Sequence, residues 1–268
     1  MRKLRILCLH GYHGTAEILR QQAAPLLSGL PAEYEFIYVD APSLSENDFG
    51  WWHLNFRGWQ RTLAWAADYF AGHGPFDGVF GFSQGAALTS LLVGLRATGG
   101  QPGEQRPLRF DFAIMAGGFT CDSPDFAGLY AAGESYRLPS LHIMGQSDGV
   151  VPAADSRALA AQFDSPVVLL HPGGHVVAST PPVRREVARF LAERAAAQNV
   201  AGSLGLPTTP GYPGIGQGEA GLQAHSTAIA AHRVFPGRDR YTRGEPGWEE
   251  VADFALDWAL APVPGVLG

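Results

Sequence analysis

Cysteine is nearly absent from this sequence: Cys8 and Cys121 are the only two among 268 residues. Two cysteines cannot make the disulfide framework of a small secreted domain, so the sequence predicts a protein of the reducing cytoplasm. Charge is also sparse, at 16%, and Asp plus Glu outnumber Lys plus Arg by 25 to 19. The resulting net charge of −6 offers no basic surface to a phosphate backbone, which argues against nucleic acid as a partner. Long apolar runs are missing as well. The opening "MRKLRILCLHG" starts with positive residues, but its apolar run from Ile6 to Leu9 stops at His10 and Gly11, too short for a signal-peptide core. No stretch approaches the length of a membrane span.

What remains is a chain of globular composition, 46% hydrophobic, with no internal repeat. Six short apolar runs read as strands: "LRILCLH", "EFIYVDAP", "GVFGFS", "FDFAIMAGG", "SLHIMGQ" and "PVVLLHPGG". Most are continuous rather than alternating, as in strands covered on both faces of a parallel sheet. Helical periods lie between them. Thr15 is placed to cap a helix with Ile18, Leu19, Ala23 and Leu26 on one face. Trp59, Leu63, Ala67 and Phe70 make a second stripe, and Gln84 to Leu95 a third helix. Pro152 and Pro181 suit the first turns of two more, the last with Val183, Val187, Phe190 and Leu191 on one side. This order predicts an α/β fold, a mostly parallel sheet of about six strands with helices on both faces.

The pattern breaks near Gln198. Residues 199–221 are rich in glycine and proline, and beyond them Trp248, Val251, Phe254, Ala255 and Trp258 fall at helical spacing. We expect a main domain over residues 1–198 and a C-terminal extension over 199–268. The extension's helix is expected to pack on the main domain, with a dimer contact as the alternative.

Chemistry concentrates in Gly81-Phe82-Ser83-Gln84-Gly85, a G-x-S-x-G sequence between a strand and a helix. A strand that turns sharply into a helix holds Ser83 at the apex. Side chains at positions 81 and 85 would strike the neighbouring helix and strand, so glycine stands at both. A serine hydroxyl needs a base, and nine histidines are available. His175 in "HPGGHVV" follows the last strand and precedes the last helix of the main domain. His171 is its rival but belongs to the strand, and His142 reads as a core residue. Asp148, in "IMGQSDGVVP" just past another strand, is the acid that would fix the histidine's tautomer. Asp40 and Asp125 are weaker candidates, and Asp40 precedes the nucleophile. The order Ser83, Asp148, His175 is the α/β-hydrolase order. Two main-chain N–H groups are expected to form an oxyanion hole: Gln84, after the nucleophile, and Tyr12, in the loop after the first strand. His10 and Gly11 would shape that loop, and neither His10 nor His13 receives a proton-transfer role.

Together "LRILCLHGYHGTAEILRQQ", "WW", "GPFDGVFGFSQGAAL", "IMGQSDGVVP" and "GGHVV" resemble the FSH serine hydrolase family, over residues 1 to about 195 and in the family's order. Acyl-protein thioesterases and small carboxylesterases share a similar GFSQG block, but "LCLHGY" and "GPFDG" favour FSH. The resemblance implies an α/β-hydrolase sheet lacking the usual first two strands and a Ser83–Asp148–His175 triad. It also implies ester or thioester hydrolysis without metal or organic cofactor. Two features depart from the family pattern: residues 199–268, and His13, to which no role is assigned. Within "NDFGWWHLNFRGW", Trp51 and Trp52 are candidates for an apolar substrate wall, and Trp59 for core. The leading expectation is an esterase for apolar acyl esters. The alternatives are a thioesterase acting on acyl or polyketide chains carried by an acyl carrier protein or coenzyme A, and a non-catalytic binding protein that keeps the pocket.

Overall fold

The run Leu4–Leu9, apolar at every position but Arg5, forms β1 in the computed structural model of the chain, which describes residues 3–45, 48–53, 56–97, 108–130, 136–203, 233–235 and 238–241. Helix α1 (Ala16–Leu27) follows, capped by Thr15, whose Oγ1 accepts the Ile18 N–H at 3.1 Å. Strand β2 (Tyr34–Val39) then lies parallel to β1. A small antiparallel pair, β3 (Ser43–Ser45) and β4 (Asp48–Phe49), leads to α2 (Trp59–His73). Next come β5 (Gly78–Phe82), α3 (Gln84–Ala97) and β6 (Phe112–Ala116). A 3-10 turn at Pro124–Leu129 precedes β7 (Ser140–Gly145), α4 (Ala153–Ala160), β8 (Val167–His171) and α5 (Pro181–Ser203). Beyond these, β9 (Arg233–Phe235) and β10 (Arg238–Tyr241) form a separate antiparallel pair. The helix expected at Trp248–Trp258 lies outside the described residues.

The six expected strands make one sheet in the order β2-β1-β5-β6-β7-β8, with every neighbouring pair parallel. Helices cover both faces. Leu19, Ala23 and Leu26 of α1 pack with Val183, Val187, Phe190 and Leu191 of α5 against one side. Trp59, Leu63 and Phe70 of α2 and most of α3 pack against the other. Helix α3 is buried all round from Gln84 to Leu95, which explains its lack of charge before Arg96. Because β2 lies on one side of β1 and β5 on the other, the chain reverses direction across the sheet between β1 and β5. Loops leaving the carboxyl ends of those two strands flank a crevice where ligands bind in folds of this kind.

Two expectations are adjusted. The inner stripe of α2 runs through Trp59, Thr62, Leu63, Ala66 and Phe70, not through Ala67, because the turn that faces the sheet also carries Thr62 inward. Strand β8 reads as buried on both faces, yet Val168 and Leu170 are 46% and 41% exposed. It is the sheet's edge, and only Val167 and Leu169 meet a covering layer.

His142 is the core residue that its place inside β7 suggested, with its ring 5.0 Å from that of Phe163 and Nε2 3.1 Å from the Ser140 hydroxyl. Burial lowers its pKa to about 3 from an ordinary 6.5. On unfolding it recovers its ordinary affinity for protons, so acid favours the unfolded chain. His142 should therefore cost no stability above pH 6.5 and a growing amount as pH falls towards 3, about 2 kcal/mol by pH 5. Urea unfolding of His142→Leu between pH 7 and 5 should show a shallower loss than the unsubstituted chain. An unchanged slope would contradict the assignment.

Candidate active site

The elbow forms where β5 ends and α3 begins. Ser83 occupies the left-handed region, at φ 54°, a conformation an L-residue adopts only where its surroundings hold it. A Cβ at Gly81 would sit 2.3 Å from Gly85 O and 2.5 Å from Thr89 Oγ1 on the helix. One at Gly85 would sit 2.1 Å from Leu9 O on β1. Both glycines are therefore demanded by close backbone approach, one against the helix and the other against the neighbouring strand.

Three strand ends bring the expected residues together. His175, in the loop between β8 and α5, has Nε2 2.9 Å from Ser83 Oγ and Nδ1 2.7 Å from Asp148 Oδ2. The other Asp148 oxygen accepts the Val150 and Val151 N–H groups at 2.9 and 2.8 Å, so the carboxylate cannot rotate away. His175 and Asp148 are both buried, while Ser83 is partly open. With Asp148 on Nδ1, the imidazole carries its proton there and leaves Nε2 to accept the serine O–H. The His175 ring is bounded by Phe82 at 4.9 Å and by Gly117, where a Cβ would come within 2.9 Å of its Cε1.

The competing candidates are engaged elsewhere. His171 ends β8, and its Nδ1 accepts the Gly173 N–H at 3.1 Å, bracing the loop that carries His175. Burial holds its pKa down, against a smaller upward pull from Asp148. Asp40 accepts the Ala16 N–H at 2.7 Å, and Asp125 is exposed on the 3-10 turn. His13 sits at φ 53° with its ring 4.0 Å from that of Tyr12.

The β1–α1 loop lies against the elbow, since a Cβ at Gly11 would be 3.3 Å from Ser83 Cβ. His10 shapes it. Its Nε2 accepts the Ala41 N–H at 2.9 Å, which requires Nδ1–H, and that group donates to Gly11 O at 2.7 Å. Burial lowers the pKa of His10 and keeps this neutral form. Gly11 O also accepts the Gly14 N–H at 3.0 Å. In a trans peptide the N–H opposes the C=O, so anchoring Gly11 O aims the Tyr12 N–H the other way. The Gln84 N–H, first in α3, has no acceptor within its own helix.

Trp51 and Trp52 are both buried, at 0% and 5% exposure. The Trp51 ring lies 5.0 Å from His10 and 5.1 Å from Trp65. The Trp52 ring meets Phe56 at 5.7 Å and Trp59 at 5.8 Å, and Phe126 closes on Phe56 at 4.6 Å. Sequence reasoning missed the Gln84 side chain: Oε1 accepts the Trp51 N–H at 2.9 Å and Nε2 donates to Trp52 O at 2.8 Å. The available signal was a polar residue opening a helix that carries no charge before Arg96. Among the described residues, no helix is long and apolar enough to cross a membrane.

Known proteins resemble this chain in sequence and in fold. Residues 1–187 match the model of the family described as serine hydrolase (FSH1). Esterase OVCA2 of Xenopus tropicalis is 34% identical over 220 residues, covering 71% of this chain and 93% of that one. Esterase OVCA2 of Homo sapiens is 30% identical over 223 residues, covering 71% and 96%. Among solved structures, Zea mays acyl-protein thioesterase 2 superposes with a TM-score of 0.56 at 21% identity, covering 72% of this chain and 94% of that one. The structural likeness bears on the fold, and the sequence matches bear on descent: the chain belongs to the FSH1 serine hydrolase family and is an esterase-type hydrolase with an α/β-hydrolase fold.

Proposed function

We propose that the chain hydrolyses carboxylic esters of apolar acyl groups through an acyl-enzyme on Ser83. One observation carries this reading: the unbroken hydrogen-bond chain from Ser83 Oγ through His175 to Asp148, drawn from three separate strand ends. Ser83 Oγ attacks the acyl carbonyl carbon while its proton passes to His175 Nε2. Asp148 stabilises the imidazolium, and the Gln84 and Tyr12 N–H groups receive the oxyanion. The tetrahedral species collapses, and the leaving alcohol departs with the proton from His175. Water then attacks the acyl-enzyme and gives a proton to His175, which returns it to Ser83 as the carboxylic acid leaves. Each step moves only protons and an acyl group among Ser83, His175, substrate and water.

Trp52, held beside the elbow by the Gln84 side chain, forms with Phe56 the apolar wall for the acyl chain. The two buried free thiols, Cys8 and Cys121, suit a reducing cytoplasmic setting. Hydrolysis of p-nitrophenyl esters of graded acyl length, beside matched acyl thioesters of coenzyme A and of an acyl carrier protein, tests the substrate class. Ester turnover with an optimum at medium or long chains is expected. Turnover confined to thioesters would replace this reading with the thioesterase one.

A further inference from the structure

The two oxyanion donors come from different elements, Gln84 from α3 and Tyr12 from the loop after β1, and their separation must hold to a fraction of an ångström for both to meet one oxygen. Close backbone approach at Gly85 sets one limit on that separation. Trp51 supplies a second connection. All three of its polar groups are engaged, each with a different element. Its N–H donates to the side chain of Gln84 on α3, its carbonyl accepts from Thr62 Oγ1 on α2, and its indole N–H donates to His10 O at the end of β1, at 2.7 Å. The last contact falls two residues before Tyr12. The Gln84 amide is fixed in orientation, because Trp51 N–H can only donate and Trp52 O can only accept.

We propose that Trp51 and the Gln84 side chain form a strut that sets the spacing between the Gln84 and Tyr12 N–H groups, making Trp51 a positioning residue behind the site rather than a wall of the substrate pocket. This rests on the Ser83 mechanism proposed above. Full burial of Trp51 agrees with it, since the ring packs between His10 and Trp65. So does the economy of Gln84, whose main chain serves the oxyanion while its side chain holds the neighbouring dipeptide on both edges. In a residue only 7% exposed, a side-chain amide with both ends bonded to main chain is a fixed bracket, not a group waiting for substrate.

Trp51→Phe removes the indole N–H and keeps an aromatic ring in place. Gln84→Met removes both side-chain bonds and keeps length and the main-chain N–H. For each, ester turnover should fall about 10–100-fold, as expected when reacting groups are misplaced by a fraction of an ångström. In Trp51→Phe, which leaves the Gln84–Trp52 bond in place, KM and the acyl-length optimum should be unchanged. Affinity for an acyl trifluoromethyl ketone should fall in parallel. That compound takes the Ser83 oxygen at its carbonyl carbon, the serine proton passing to His175, and so reads the oxyanion site. Inhibition of Trp51→Phe by the matching methyl ketone, which forms no stable adduct, should be unaltered. A merely structural weakening would lower the melting temperature without separating the two ketones.

A raised KM with a shifted acyl-length optimum in Trp51→Phe would overturn the strut and return Trp51 to the pocket wall. Unchanged turnover in Gln84→Met would overturn it independently, should Trp51→Phe fold poorly. Labelling of the unsubstituted chain with a fluorophosphonate separates the two levels of failure. Labelling at Ser83 with insensitive variants defeats the strut alone, whereas no labelling at Ser83 defeats the mechanism and the strut with it.

Discussion

Asp148→Asn is expected to lower ester turnover by about 10⁴-fold while leaving the fold intact, a loss of about 5 kcal/mol in transition-state stabilisation. The asparagine carbonyl oxygen can keep the two N–H groups of Val150 and Val151 that now bind Oδ1, so the loop should stay in place. Its amide N–H₂ would then face His175 Nδ1, where the carboxylate now accepts. A donor there requires Nδ1 to accept, which moves the imidazole proton to Nε2. Nε2–H points at Ser83 Oγ and cannot take the serine proton. Steady-state kinetics on a p-nitrophenyl ester, with thermal melting as control, measure both halves of the claim. A loss of tenfold or less in a folded variant would mean that another group orients His175.

The elbow was legible in the sequence because its requirements are local. Gly81 is dictated by Gly85 O and Thr89 on the helix that adjoins it in the chain, and the G-x-S-x-G spacing is read locally even though the contact that dictates Gly85 comes from Leu9 O on β1. His175 and Asp148 were legible for a related reason. In a parallel sheet every strand delivers its following loop to the same edge, so chain order and strand ends suffice to bring them together. The sheet order itself was not written locally. Nothing in "LRILCLH" says that β1 separates β2 from β5, and nothing in "PVVLLH" marks β8 as an edge.

The aromatic segment was the least legible part. Two adjacent tryptophans point apart, and only their partners decide which faces what. Trp51 engages His10, Thr62 and Gln84, residues far apart in sequence. Thr62 illustrates the difficulty. A polar residue on the inner stripe of α2 looks like a break in the apolar pattern, yet it is fully buried because its hydroxyl serves Trp51 O. The missed Gln84 side chain belongs to the same network. Local patterning located the residues that meet at the elbow, while the contacts that hold the β1–α1 loop against it depend on tertiary neighbours.

Ser83 carries the largest single expectation. In the proposed mechanism its hydroxyl forms the bond to the acyl carbon, and removing it leaves His175 with no serine proton to accept. In serine hydrolases such a loss costs on the order of 10⁶-fold in turnover, with the remainder supplied by the oxyanion donors and binding. Alanine removes the hydroxyl without adding bulk at the φ 54° position, so the elbow should persist. The most direct measurement is hydrolysis of the best p-nitrophenyl ester by the unsubstituted chain and by Ser83→Ala, both shown to be folded. The account predicts turnover by the first and only a trace, about 10⁶-fold lower, by the second. Turnover by Ser83→Ala within tenfold of the unsubstituted chain would contradict it.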